Sequence, residues 1–186
     1  MTAGAPDWPL ETERLVLRPY EQGDLERYHE VRSRDEVALY LYDDPLTLMQ
    51  ARDKLSMLVD STSLDAEDDW IVAAIVLRDG GVYVGDVAFH WVSVQHRTGE
   101  VGFTLDPAFQ GLGYATEASR ALLDWGFGTF GLHRIIGRTE ARNVASARVL
   151  EKLGMRLEAH LVENEWIKDE WQSELVYAIL DREWAG

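Results

Sequence analysis

Phe109-Gln110-Gly111-Leu112-Gly113-Tyr114-Ala115-Thr116-Glu117-Ala118 is followed, one helix and one strand later, by Asn143-Val144-Ala145-Ser146 and Leu150-Glu151-Lys152-Leu153-Gly154-Met155. The first stretch reads as a strand that ends in a Gly-rich loop and opens a helix. Such a loop aims several backbone N–H groups and the positive end of a helix dipole at one spot, which suits a phosphate. The second supplies a side-chain amide and a hydroxyl at the start of another helix, which stops at Gly154. The two in this order are far more specific than either alone.

The surrounding sequence limits what these elements can serve. With 186 residues and 46% hydrophobic content the chain can bury a full core, and it is read as one α/β domain over residues 1–186. It contains no cysteine, which excludes disulfides, thiolate metal sites and a cysteine acyl-enzyme. No metal ligand set is expected. The lack of a signal-like or long apolar run predicts a cytoplasmic protein without a membrane role. A net charge of −15, from 33 acidic and 18 basic residues, repels a nucleic-acid backbone, so no nucleic-acid partner is expected. The same field could gather cationic amines, against the plainer reading of a solvated surface. Asp65 to Asp69 reads as an exposed acidic loop.

Period-two alternation marks a first strand at Arg14 to Pro19, followed by a helix over Glu21 to Arg32. The apolar run Val37 to Tyr42 leads into the turn at Asp43-Asp44-Pro45. Thr47 caps a helix reaching about Val59, with Leu48, Ala51, Leu55 and Leu58 as its buried stripe. Strands follow at Trp70–Leu77, Val82–Trp91 and Glu100–Leu105, forming an antiparallel meander. The helix after the loop spans about Thr116 to Phe127. A strand at Arg134–Thr139, a helix at Ala145–Leu153 and a hairpin of Leu157–Trp166 with Glu170–Leu180 complete the chain. A helical crossover between the strands before Gln110 and at Arg134 makes those two parallel neighbours, so the sheet is mixed. Ligands of such sheets bind at the carboxyl ends of strands, where Gln110 to Ala115 lies.

A dinucleotide fingerprint would need glycine at Thr116 and an acidic ribose partner, and a nucleotide P-loop would need a Gly-Lys-Ser/Thr ending. Both are missing. A Gly-x-Gly turn without a lysine suits a passively held pyrophosphate on a large group carrier.

Gln110 to Ala115 resembles the Gln/Arg-x-x-Gly-x-Gly/Ala acyl-CoA signature of the GNAT superfamily of N-acetyltransferases. Thr12-Glu13-Arg14-Leu15-Val16-Leu17-Arg18, Glu100-Val101-Gly102-Phe103 and Asn143 to Met155 resemble its RimJ/RimL-type branch. The resemblance implies a mostly antiparallel central sheet flanked by helices, with acetyl-CoA as co-substrate. It further implies that the amides of Gln110, Gly111, Leu112, Gly113, Tyr114 and Ala115 hold the pyrophosphate and that Asn143 touches the pantetheine arm. Direct transfer to an amine, on a peptide N-terminus or a small molecule, is the implied reaction. The alternative is a domain that binds acyl-CoA without turnover, as a sensor or partner module.

Direct transfer needs a base for the ammonium proton, an amide donor for the oxyanion and an acid for the thiolate. Glu100, at the mouth of the central strand, is the candidate base, with a surface or ion-paired glutamate as the alternative. Asp86 and His90 are weaker candidates. A backbone N–H among Phe103, Thr104 and Leu105 is expected at the oxyanion if that strand splays from its neighbour. Many GNAT enzymes place a tyrosine acid where this chain has Leu150, and Ser146 could assist the thiolate or simply cap its helix. Tyr40, His90 and Trp91 are expected to line the acceptor cleft, with Tyr42 on the same aromatic wall. The remaining tryptophans are read as core or dimer packing, so a homodimer is possible. Arg142 and Arg148 could reach CoA phosphates, with surface ion pairs as the alternative.

Overall fold

The computed structural model describes residues 4–184. A two-residue strand β1 (Leu10–Glu11) precedes β2 (Leu15–Pro19), a 3-10 turn at Gln22–Asp24 and helix α1 (Leu25–Arg32). Then come α2 (Asp35–Ala38), α3 (Leu48–Asp60) and the meander β3 (Trp70–Leu77), β4 (Tyr83–Ser93) and β5 (Thr98–Leu105). Helix α4 (Tyr114–Asp124), β6 (Arg134–Glu140), α5 (Val144–Lys152), β7 (Arg156–Ile167) and β8 (Glu170–Leu180) follow. The eight strands form one sheet in the order β1-β2-β3-β4-β5-β6-β8-β7. Among the described residues only the β5–β6 pair is parallel, as the α4 crossover requires.

Strand alternation divides the apolar residues between two layers. Ala73, Ile75, Val87 and Phe89 join Leu122 and Leu123 of α4 and Leu150 of α5 in one core. Ala74, Val76 and Tyr83, pointing the other way, join Tyr28 and Val31 of α1 and Ala51 and Leu55 of α3. The fold therefore has helices on both sides of a mostly antiparallel sheet.

Several local expectations are corrected. The helix expected at Glu21 starts as a 3-10 turn, because Asp24 bends back to accept from the Glu21 N–H and to pair with Arg18. Leu48 is 46% exposed rather than part of the α3 stripe. Thr47 caps that helix by accepting from the Gln50 N–H, and the buried residue at its entrance is Leu46, one residue before the cap. This is the position from which an apolar side chain staples a helix start. The helix after the loop starts two residues early, at Tyr114, and widens into a π-helical turn over Trp125–Thr129. There Trp125 and Phe130 stack at 5.0 Å. Among the described residues, no helix is long and apolar enough to cross a membrane.

Candidate active site

β5 and β6 pair only over Thr98–Glu100 and Arg134–Ile136. Beyond Glu100 the two strands part, β5 running on to Leu105 and β6 to Glu140 beside β8. Their splay opens a cleft of about 850 Å³ that reaches from the Gly-rich loop to the β7–β8 hairpin.

The loop is braced from beneath. The Asp106 N–H donates to the Val84 carbonyl, while its buried carboxylate accepts from the Ala108 N–H and lies 3.4 Å from both Arg27 and Arg34. Gln110 Nε2 donates back to the Leu105 carbonyl at 3.4 Å. Gly111 and Gly113 adopt φ of 76° and 86°, a left-handed backbone that turns the chain sharply into α4. The first-turn N–H groups of α4 have no preceding helical carbonyl to receive them and lie where the helix dipole is positive. Asn143 caps α5, its Oδ1 accepting from the Ser146 N–H at 3.1 Å.

At the fork, the Glu100 side chain is 18% exposed and its Oε2 lies 3.5 Å from Arg138 Nε. Burial pushes its pKa up; the Arg138 charge opposes this and Glu174 reinforces it. Glu174 of β8 reaches the other side of the same guanidinium, 3.7 Å away, with its side chain 8% exposed. Burial raises its pKa too. One arginine thus serves two carboxylates that are both easier to protonate than usual.

The wall beyond is made by α2, the segment after it and the hairpin tip. The Tyr42 hydroxyl donates to the Glu165 carboxylate at 3.1 Å, and Lys168 Nζ donates to the Ala38 carbonyl at 2.7 Å. These contacts draw the hairpin toward the α2 segment over the acidic end of the cleft.

Most of the residues expected at the site come together on this cleft. Glu100, Phe103, Thr104, Leu105, Gln110, Gly111, Gly113, Tyr114, Ala115, Asn143, Ser146 and Tyr40 all line it. Leu112 does not: its carbonyl is turned away to accept from Arg14, and its side chain is 52% exposed. Trp91 is the clearest correction. It is 2% exposed and packs edge-on to Phe130 at 4.8 Å, because its pleat position faces the α4 core rather than the cleft. His90 faces the cleft side of the sheet and pairs with Glu100 in register, but its ring lies stacked on Trp70 at 4.1 Å and outside the cleft lining. Burial lowers its pKa, against the opposing pull of Asp68. Trp70 holds the lining position instead. Asp86 also borders the cleft but is buried, with both oxygens accepting hydrogen bonds, from Tyr20 and from Arg32. Arg142 is held by Glu140 at 2.9 Å and Glu170 at 2.6 Å, whereas Arg148 lines the cleft together with Lys152. Leu150 lies 1% exposed in the core against Gly137.

Arg138, Glu174 and Glu165 were not singled out by sequence. Their signal is weak: Arg138 is a charge on alternate positions of β6, and Glu174 interrupts a strand that is otherwise apolar toward its end.

The sign of the Glu174 shift gives a stability prediction. A carboxyl raised by folding contributes stability below its unfolded pKa and loses it as pH rises through the folded value. Glu174→Gln, which cannot ionise, should therefore melt higher than the parent at about pH 8, with the gain fading near pH 4. Thermal melts across that range check it; a lower melting temperature at high pH would show that the Arg138 pairing outweighs desolvation.

The pattern of the acetyltransferase (GNAT) domain matches residues 14–156. The chain belongs to the GNAT acetyltransferase family. This GNAT chain is 33% identical to an uncharacterized N-acetyltransferase, YnaD, of Bacillus subtilis, across 94% of the chain and 98% of the relative. It is 25% identical to the spermidine N(1)-acetyltransferase of Escherichia coli, across 91% and 88%. The crystal structure of a GNAT-family acetyltransferase from Bacillus anthracis superposes with a TM-score of 0.85 at 32% identity, covering 94% of this chain and 99% of that one. The protein is accordingly an acetyl-CoA-dependent N-acetyltransferase of mixed α/β GNAT fold.

Proposed function

We propose that residues 1–186 form a single catalytic domain that acetylates a primary amine at the β5–β6 fork, with Glu100 as the base. The observation that carries this reading is the fork itself, since the strands part at the residue bearing the raised carboxyl. Acetyl-CoA supplies the acetyl thioester. The left-handed Gly111 and Gly113 and the open amides at the start of α4 fit its pyrophosphate, and Arg148 and Lys152 bring positive charge to the same wall.

In this reading Glu100 takes a proton from the acceptor ammonium, freeing the nitrogen lone pair. That nitrogen bonds to the thioester carbon as the carbon–sulfur bond breaks, and the electron pair leaves with sulfur. An N–H of the parted segment Phe103 to Leu105 steadies the carbonyl oxygen as its negative charge grows. The nitrogen then gives up a second proton, which passes to the thiolate through Ser146 or water, while the proton taken by Glu100 is released to solvent. Asn143, whose Oδ1 is committed to its cap, keeps its amide N–H₂ for the pantetheine arm.

Glu100, Glu174 and Glu165 at the far end support a small cationic amine as acceptor. The relatives named as spermidine acetyltransferases agree with that choice, while the likeness of Thr12 to Arg18 supports placement in the RimJ/RimL-type branch. Thiol release from acetyl-CoA across mono-, di- and polyamines and peptides tests the proposal. Amine-dependent release, strongest for cationic small amines, is expected. Tight CoA binding without any amine-dependent thiol would sink it.

A further inference from the structure

The Thr12-Glu13-Arg14 stretch lies outside the fork, yet it grips the loop. Arg14 Nη1 donates to the Leu112 carbonyl at 3.0 Å, and the guanidinium lies 4.7 Å above the Tyr114 ring. Its Nε and Nη2 each meet Glu117 Oε2 at 2.7 Å. The backbone N–H of Arg14 and the hydroxyl of Thr12 donate to Glu117 Oε1 at 2.8 and 2.6 Å. Glu117 stands in the first turn of α4, with its N–H donating to the Gly113 carbonyl.

An acidic side chain in the first turn of an anion-binding helix is a competitor: its negative charge occupies the favourable end of the dipole and repels a second anion. Here that carboxylate is turned onto the segment between β1 and β2 and answered by a guanidinium. The same guanidinium holds the Leu112 carbonyl away from the cleft, and this fixes the peptide between the two left-handed glycines.

We propose that Arg14 is a positioning residue for acyl-CoA: it locks the Leu112–Gly113 peptide and cancels the charge of Glu117, so that the loop amides face an incoming pyrophosphate. This rests on the reading that Gln110 to Ala115 holds the carrier phosphates. A plain strut between β2 and α4 would need only the contact and would be indifferent to the charge of Glu117.

Arg14→Met is expected to weaken CoA binding and raise the acetyl-CoA KM about tenfold, or about 1.4 kcal/mol, with kcat and the amine KM unchanged. Adding Glu117→Gln to Arg14→Met should restore much of that affinity, because the uncancelled charge is gone. Arg14→Lys, which keeps the charge but not the fork of donors, should fall between, and it serves if Arg14→Met does not fold. Equal CoA affinity in folded Arg14→Met, or no recovery in the double variant, would overturn the proposal. Amide hydrogen exchange in the ligand-free protein separates this from the functional reading. Faster exchange at Gly111 to Tyr114 in Arg14→Met supports the lock, and unchanged exchange there refutes it, whether or not the parent protein binds CoA in calorimetry.

Discussion

Glu100→Gln is expected to lower kcat/KM by about 10²- to 10⁴-fold, the range over which a positioned base contributes. Its affinity for CoA should be unchanged. The substitution keeps the shape of the side chain and removes only the proton acceptor, next to an Arg138 that is 46% exposed and can turn to solvent. The parent activity should rise with pH through a value above the usual carboxylate range, because burial makes Glu100 harder to ionise. That rising limb should be missing in the variant. Steady-state thiol release over pH reads both effects. Full activity in Glu100→Gln at every pH would transfer the base to another group or to water.

The second large effect is on folding. Gly85 of β4 has φ of 148°, and a Cβ built there would sit 2.1 Å from the Thr104 carbonyl oxygen and 2.8 Å from the Leu105 Cα. Both obstacles are backbone, so β5 itself must shift. Gly85→Ala should cost about 3 kcal/mol from the forbidden backbone region and the overlap together. For a chain of this size that lowers the melting temperature by about 6–12 °C. The displaced strand is the one that delivers Asp106 and the loop, so CoA affinity should fall as well. Thermal denaturation with parallel CoA titration checks this; an unchanged melting temperature would show that β4 and β5 can separate freely at that point.

The elements that were legible in sequence are those whose signal is local. Trp70–Leu77 and Glu170–Leu180 are read to the residue because each is an apolar, strand-forming run bounded by polar turn residues. The Thr47 cap and the Gly-rich loop were readable because each depends on side chains or glycines within a few residues of each other. The mixed sheet followed from the order of strand, helix and strand. What failed depends on partners far along the chain. Trp91 is expected on the aromatic wall of the cleft together with His90, but neighbours on a strand face opposite ways, and the Phe130 ring that receives Trp91 lies on another element. Arg138 and Glu174 become neighbours of Glu100 only when β6 and β8 are laid beside β5. Arg14 and Glu117, 103 residues apart, meet only because α4 crosses back over β2.

The proposed transfer depends on where the acyl carrier lies. Backbone amide shifts recorded as CoA is added to the parent protein test this most directly. The largest changes are expected at Gly111 to Thr116, at the parted segment Gly102 to Leu105 and at Asn143 to Ser146, with the exposed edge strand β7 and the core around Trp91 unmoved. Saturable binding with its changes confined to β7, leaving Gly111 to Thr116 and Asn143 to Ser146 unmoved, would contradict it.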